Sequence, residues 1–445
     1  MKKVLLSVLS LLLVATFMLS ACEQSGAVEE SVSVNTSSAI SSEGESIPEE
    51  SSEDFSEDAS EDASEDETYG ENNIKVLYNS YSEKPYFAMV GTCTEGAVVT
   101  AECSGEVVSS QSYKGWFSLR LLCKSSSVKV VLYETLNGEM VGEKSRVNVA
   151  PKTPGSEMWP VVTGGNFQFF FQKMLPDFQG TNIPRDTAYT SLTKRIGERL
   201  KQLRSYNENA EIIYLIVPSS MTVYPELVPE TYGELASETR LSKTVDAINA
   251  GGGIAIDLQA LFEEHKNDEM PLYYKLDSHW SDYGAYIAYE ALFEQVAKTF
   301  PEAAPRAIDE FNWNPGYYES GDMTYYLAMS QSKVKEYAYY RTFEFDAPSA
   351  ITSIKRYGST TQLCYSNAVT EEKIINTKRE ELPSCIVLRD SYSTQMYDIL
   401  AERMNKTHYM GMWGYRWDQS LIASEKPDYV IYILAEWNLD SVLYN

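Results

Sequence analysis

Three short apolar runs, AEIIYLIV (210–217), CIVLR (385–389) and DYVIYIL (428–434), constrain the fold more than any other feature. None alternates apolar with polar residues, so each reads as a strand covered on both faces. Helical periodicities lie between them: Thr187 to Tyr206, Ser237 to Ala250, Ala260 to His265, Tyr283 to Phe300 with Ser281 as its N-cap, and Thr394 to Met404. GGGIAIDL (251–258) reads as a turn followed by a strand. Apolar strands separated by helices predict an α/β domain over 157–445, a mostly parallel sheet with helices on both faces in three layers. Residues 314–384 fit that alternation less well and read as a β-rich or irregular insertion.

Residues 73–150 have a different pattern. YFAMV, AVVTAEC, WFSLRLLC, VKVVLYE and SRVNVA are separated by breaks at Gly96, Ser104-Gly105, Lys114-Gly115 and Asn137-Gly138. This spacing predicts a small antiparallel β-sandwich. Gly91 to Thr100 resembles the corresponding stretch of bacterial Ig-like modules. A spacer is the expected role, with carbohydrate binding as the other. Cys93, Cys103 and Cys123 permit one disulfide there, and the sequence does not choose the pair.

Lys2 and Lys3, the apolar run Val4 to Leu19 and the ending Leu19-Ser20-Ala21-Cys22 read as a signal peptide over 1–21. The ending resembles the bacterial lipobox, which implies lipid attachment at Cys22 and an extracytoplasmic, membrane-anchored location. The other reading is an uncleaved membrane anchor. Between Cys22 and Asn73 there are 17 acidic residues and no Lys or Arg, with a short SEDASEDASED repeat. Residues 22–72 are therefore expected to be a disordered acidic linker. Setting aside those residues and the two N-terminal lysines leaves 35 basic against 47 acidic residues, a net −12 out of the chain's −27. An acidic body without a basic stretch argues against nucleic acid as a partner. Three histidines leave little room for a histidine-built metal site, and no Gly-rich phosphate loop occurs, so no metal or cofactor is expected.

Two segments carry candidate chemistry. In Tyr273-Tyr274-Lys275-Leu276-Asp277-Ser278-His279-Trp280, Asp277 stands two residues before His279, placed to orient an imidazole and stabilise its charged form. Leu388-Arg389-Asp390-Ser391-Tyr392 follows a predicted buried strand and opens a helix, which puts Ser391 at the carboxyl edge of the sheet beside free N–H groups. Together they compose a Ser391–His279–Asp277 triad. An unshifted imidazole would make its activity fall with acid at about pH 6–7.

The same residues carry a resemblance. V-P-S-S-M-T-V-Y-P-E-L-V-P (217–229), I-D-L (256–258), L-Y-Y-K-L-D-S-H-W (272–280), Gly321-Asp322-Met323 and the Asp390-Ser391-Tyr392 block resemble the DHHW and alginate O-acetyltransferase-like branch of the SGNH hydrolase superfamily. The resemblance implies an SGNH-like, flavodoxin-like fold and a serine esterase or O-acetyltransferase. Asp277 and His279 would be its acid–base pair and Ser391 its nucleophile. It also implies an envelope or secreted polysaccharide and an acetyl donor as partners. No Gly-x-Asn-Asp block occurs, so Asn438, Asn166 and Tyr392 are the candidates for the oxyanion or the substrate. The alternative is a non-catalytic surface module that binds glycan or protein on a decayed fold of this type. Tyr409, Trp413, Tyr415 and Trp417 are expected to pack in the core, with a sugar-stacking platform as their other use.

Overall fold

The computed structural model describes residues 69–154, 161–344, 350–354 and 371–445. The expected signal peptide, Cys22, residues 23–68 of the expected linker and Cys364 lie outside the described residues. Strands β1 (Lys75–Glu83), β2 (Tyr86–Thr92), β3 (Val98–Cys103), β4 (Glu106–Gln111), β5 (Trp116–Leu122), β6 (Val128–Leu136) and β7 (Glu139–Val149) make two antiparallel sheets, ordered β1-β2-β5 and β4-β3-β6-β7. Two of the predicted breaks are two-residue hairpin turns with both residues left-handed: Ser104-Gly105 at φ 53° and 80°, and Asn137-Gly138 at 55° and 86°. Phe87, Met89, Val99, Phe117, Leu119 and Leu132 fill the space between the sheets. The side chain of Asn72 donates to Leu132 O, Glu143 O and Ser145 Oγ, so the chain docks on β7 ahead of residue 73. Cys93, Cys103 and Cys123 are unbridged.

β2 is apolar at successive positions because both of its faces are covered. Phe87 and Met89 point into the sandwich, while Ala88 and Val90 join Trp116 in a second cluster with Phe167, Phe169, Met174, Leu276 and Met323. The sandwich thus shares a core with the rest of the chain, a cover that a bare spacer does not need.

β8 (Val161–Thr163) and β9 (Phe169–Phe171) form a small hairpin at that shared core. The main sheet contains β10 (Glu211–Val217), β11 (Ile254–Ile256), β14 (Ala350–Ile354), β15 (Glu372–Asn376), β16 (Ser384–Arg389), β17 (Lys406–Tyr409) and β18 (Tyr429–Ala435), while β12 (Asn312–Glu319) and β13 (Lys335–Thr342) make a separate hairpin. The order is β11-β10-β18-β16-β17-β15-β14; the first five strands are parallel, and the β17–β15 and β15–β14 pairings are antiparallel. Among the described residues, the segment read as an insertion holds the β12–β13 hairpin and the strands β14 and β15, joined to the sheet by antiparallel pairing. On β10, Ile213, Leu215 and Val217 face one helical layer, and Ile212, Tyr214 and Ile216 face the other. Helices α1 (Asp186–Arg204) and α2 (Arg240–Ala250) cover the second face; α3 (Leu258–His265) and α4 (Asp282–Ala297) cover the first. Ser281 caps α4, accepting from Tyr283 N and Gly284 N as expected.

Parallel register brings three strand ends to one edge. Val217 pairs with Ala435, and Arg389 with Ile433. Ser219, Ser391 and Glu436 emerge there together, and the candidate chemistry is built on that edge.

Candidate active site

Ser391 is placed by the residue before it. As β16 ends, Asp390 Oδ1 accepts Tyr392 N at 2.9 Å, while Oδ2 accepts Ala435 N and Asn438 Nδ2, both at 2.8 Å. The carboxylate ties the turn to the end of β18 and tightens Ser391–Met396 into a 3-10 turn; α-helix resumes only at Tyr397–Glu402, later than the predicted start at Thr394. Ser391 is half-buried and reaches solvent.

His279 arrives on a closed loop. Tyr273 bridges Trp280, Ser281 N donates to Leu272 O at 2.8 Å, and the buried Glu336 carboxylate on β13 accepts the N–H groups of Lys275 and Leu276. Two bonds dock this loop on the nucleophile turn: Trp280 Nε1 donates to Tyr392 O at 2.9 Å, and the Tyr392 hydroxyl donates to Ser278 O. His279 Nε2 then lies 2.8 Å from Ser391 Oγ, and Nδ1 lies 2.6 Å from Asp277 Oδ1. The three sequence candidates stand in one hydrogen-bonded chain, with 17% of the His279 side chain and 23% of that of Asp277 exposed.

Asp322, in the connection between β12 and β13, is the supporting group that sequence reasoning did not assign. Its carboxylate accepts Ser278 N at 2.8 Å and Ser278 Oγ at 2.5 Å, and its own N–H donates to Asp277 Oδ2 at 3.2 Å. Gly321 permits this approach, since a Cβ there would sit 1.8 Å from Asp277 Oδ2. The signal was available in the Gly321-Asp322-Met323 triplet, but no spacing in the sequence relates it to Ser278. Burial disfavours the charged imidazole, yet the Asp277 carboxylate and its hydrogen bond, with Asp322 and Asp390 behind, hold the His279 pKa up at about 9. Burial, and then repulsion from Asp277, push the Asp322 carboxyl up to about 7. The expectation of an unshifted imidazole is therefore corrected by the three carboxylates around the ring.

The three oxyanion candidates are placed for other work. Asn166 is in the turn of the β8–β9 hairpin at φ 51°, where Gly164 and Gln168 close the loop, so it serves the turn. Asn438 spends its amide N–H on Asp390, and its carbonyl accepts Lys173 Nζ at 3.4 Å. Tyr392 is buried, with its ring centroid 4.9 Å from that of His279 and its hydroxyl bound to Ser278 O. The Ser391 N–H opens the 3-10 turn and makes no hydrogen bond among the described residues. Tyr409 and Tyr415 are buried, and Trp413 and Trp417 pack against the cluster under α1, so these aromatics take the core role.

Asp277, His279 and Asp322 offer ligand atoms within 4.8 Å of one another, the one group of this kind among the described residues. Ser278, His279 N and Asp322 N already use most of that donor set, which makes it a hydrogen-bonded support for the imidazole.

Residues 177–354 match the family model described as ALGX, SGNH hydrolase-like domain, acetyltransferase AlgX. That span includes Asp277, His279 and Asp322 and ends before Ser391. Similar solved structures include a DHHW family protein from Eubacterium siraeum, at 13% identity over 70% of this chain and 92% of that one, with a TM-score of 0.43. PatB1 of Bacillus cereus is 16% identical over 58% of this chain and 93% of its own, with a TM-score of 0.45. The O-acetyltransferase domain of AlgJ from Pseudomonas putida is 16% identical over 64% and 93%, with a TM-score of 0.40. No curated protein matches the chain.

Proposed function

We propose that this chain, which carries an SGNH hydrolase-like domain, is a serine-dependent esterase or O-acetyltransferase for acetyl groups on an envelope or secreted polysaccharide, held at the cell surface by lipid on Cys22. The observation that carries the reading is the hydrogen-bonded chain Asp277–His279–Ser391 at the carboxyl edge of the sheet. Ser391 Oγ attacks the acetyl carbonyl while its proton passes to His279 Nε2. Asp277 holds the proton on Nδ1 and balances the imidazolium. Collapse of the tetrahedral species expels the leaving alkoxide, which takes the Nε2 proton, and leaves acetyl-Ser391. Water or a sugar hydroxyl then resolves the ester by the same steps in reverse. The Ser391 N–H is the oxyanion donor that the local backbone supports.

Labelling with a serine-directed fluorophosphonate tests the reading. The wild-type protein is expected to label, and Ser391→Ala and His279→Ala to lose labelling and acetate release from 4-nitrophenyl acetate together, because triad members act as a unit. If both variants hydrolyse the ester at the wild-type rate, the triad assignment fails and a non-catalytic surface binder replaces it.

A further inference from the structure

A row of aromatic rings leads away from the imidazole. The Tyr392 ring lies 5.3 Å from Trp437, Trp437 6.2 Å from Phe171, Phe171 5.8 Å from Tyr326 in a stacked pair, and Tyr326 5.7 Å from Tyr325. The row comes from four separate stretches of chain: the nucleophile turn, the end of β18, β9 and helix α5 (Asp322–Tyr326). Tyr392 and Phe171 are buried, Trp437 and Tyr326 half-buried, and the row ends at Tyr325, which is 68% exposed. Core packing explains the inner rings. It does not explain a tyrosine held out in water beside Tyr326, three residues after Asp322, whose N–H supports Asp277.

Charge narrows what could lie there. Asp277, Asp322, Asp390 and Glu436 converge on the same edge, with Glu436 wholly buried and its Oε1 lacking a hydrogen-bond partner. Nearby Arg240 is paired with Asp177 at 2.8 Å and Asp440 at 2.7 Å, and Lys173 reaches the edge through Asn438. Residues 73–445 as a whole carry a net charge of −12. His279 is protonated at neutral pH but paired with Asp277, so a polyanion approaching this edge still meets more carboxylates than cations. Aromatic faces, by contrast, take the apolar faces of sugar rings without needing charge.

We propose that the row from Trp437 to Tyr325 is a binding track for an uncharged glycan chain, which stacks on Trp437, Tyr326 and Tyr325 and so presents a hydroxyl or its acetate to Ser391. The inference rests on the acyl-transfer reading of the same site and specifies its substrate class as a neutral saccharide, not a uronate or phosphate polymer.

The test uses the full chain carrying Ser391→Ala, so that nothing turns over, titrated with cellopentaose, chitopentaose and penta-mannuronate and read by tryptophan fluorescence and calorimetry. Binding of at least one neutral pentasaccharide is expected, with penta-mannuronate at least about tenfold weaker at low salt. Adding Tyr325→Ala should weaken the neutral ligand by about tenfold, the loss of one ring contact. Tyr325→Phe, which keeps the ring, should restore it. Tyr444→Ala, at a similarly exposed tyrosine outside the row, should change nothing. Tyr325 is exposed, so an unchanged melting temperature separates lost contact from lost fold. The track is overturned if neither neutral ligand binds, if penta-mannuronate binds as well as they do, or if Tyr325→Ala has no effect. Acylation of the wild-type protein by 4-nitrophenyl acetate reads the chemistry separately: acylation without saccharide binding sinks the track alone, and saccharide binding without acylation sinks the acyl-transfer reading alone.

Discussion

Asp277 Oδ1 accepts both the ring and the backbone N–H of His279, at 2.6 and 2.9 Å, while its Oδ2 takes the N–H of Asp322. A carboxylate so bonded stays charged: although burial works against it, the His279 charge and hydrogen bonds hold its pKa below the ordinary value. The consequence appears at His279. With a pKa of about 9, its base form is scarce at neutral pH. We expect kcat/KM for 4-nitrophenyl acetate to rise with pH to a midpoint near 9, not near the 6.5 of a free imidazole. Asp322→Asn should move that midpoint downward, since it removes one of the charges that raises it, and a wild-type midpoint of 6–7 would show that these carboxylates do not act on the ring. The stability effect has a definite sign. The folded-state pKa is raised, so the stabilisation is fully present below about 6.5 and is lost as pH climbs through about 9.

At the scale of elements, the catalytic edge is held by ties between segments far apart in sequence. Arg240 at the start of α2 makes two bonds to Asp177, at 2.9 and 2.8 Å, and donates to Glu436 O at 3.2 Å. Arg240 is 4% exposed and Asp177 1%. Asp177→Ala leaves a buried guanidinium whose remaining partners are the exposed Asp440 carboxylate and Glu436 O, and should cost about 3–5 kcal/mol in a urea unfolding experiment. A cost under about 1 kcal/mol would mean that Arg240 turns to solvent instead. Sequence periodicity located α2 well, Ser237–Ala250 against Arg240–Ala250, because its apolar stripe is set by residues three and four apart. Nothing in that stripe announces Asp177.

At the scale of the whole molecule, the sandwich is part of the loop's support. Lys275, two residues before Asp277, is buried with its ammonium 5.0 Å from the ring of Tyr113 in the sandwich and 5.7 Å from that of Tyr224; burial lowers its pKa to about 8. Tyr113 also donates to Tyr337 O at 3.3 Å, and Tyr317 donates to Lys114 O at 2.6 Å. Removing residues 1–154 should strip the cover from Phe167, Phe169 and Leu276. We expect the remainder to bind a hydrophobic dye and lose cooperative unfolding, whereas a chain starting at residue 69 should keep both its melting temperature and its activity. An unaltered transition for the shorter chain would return the sandwich to the role of spacer.

Alternation and periodicity are local, so the sequence by itself determined where the core strands lie: the apolar runs at 210–217, 385–389 and 428–434 could only be stable with both faces covered. The aspartate two residues before the histidine, and the serine after a buried strand, were legible for the same reason. What tertiary structure decided were the groups set by distance in space: the sharing of one core by both halves, Asp322 beneath Ser278, the withdrawal of Asn166, Asn438 and Tyr392 to structural partners, and the raised pKa of His279. A pKa depends on charges within a few ångströms, and a hydrogen bond on which partner arrives first. Neither distance exists until residues more than a hundred positions apart, such as His279 and Ser391, are brought to one sheet edge.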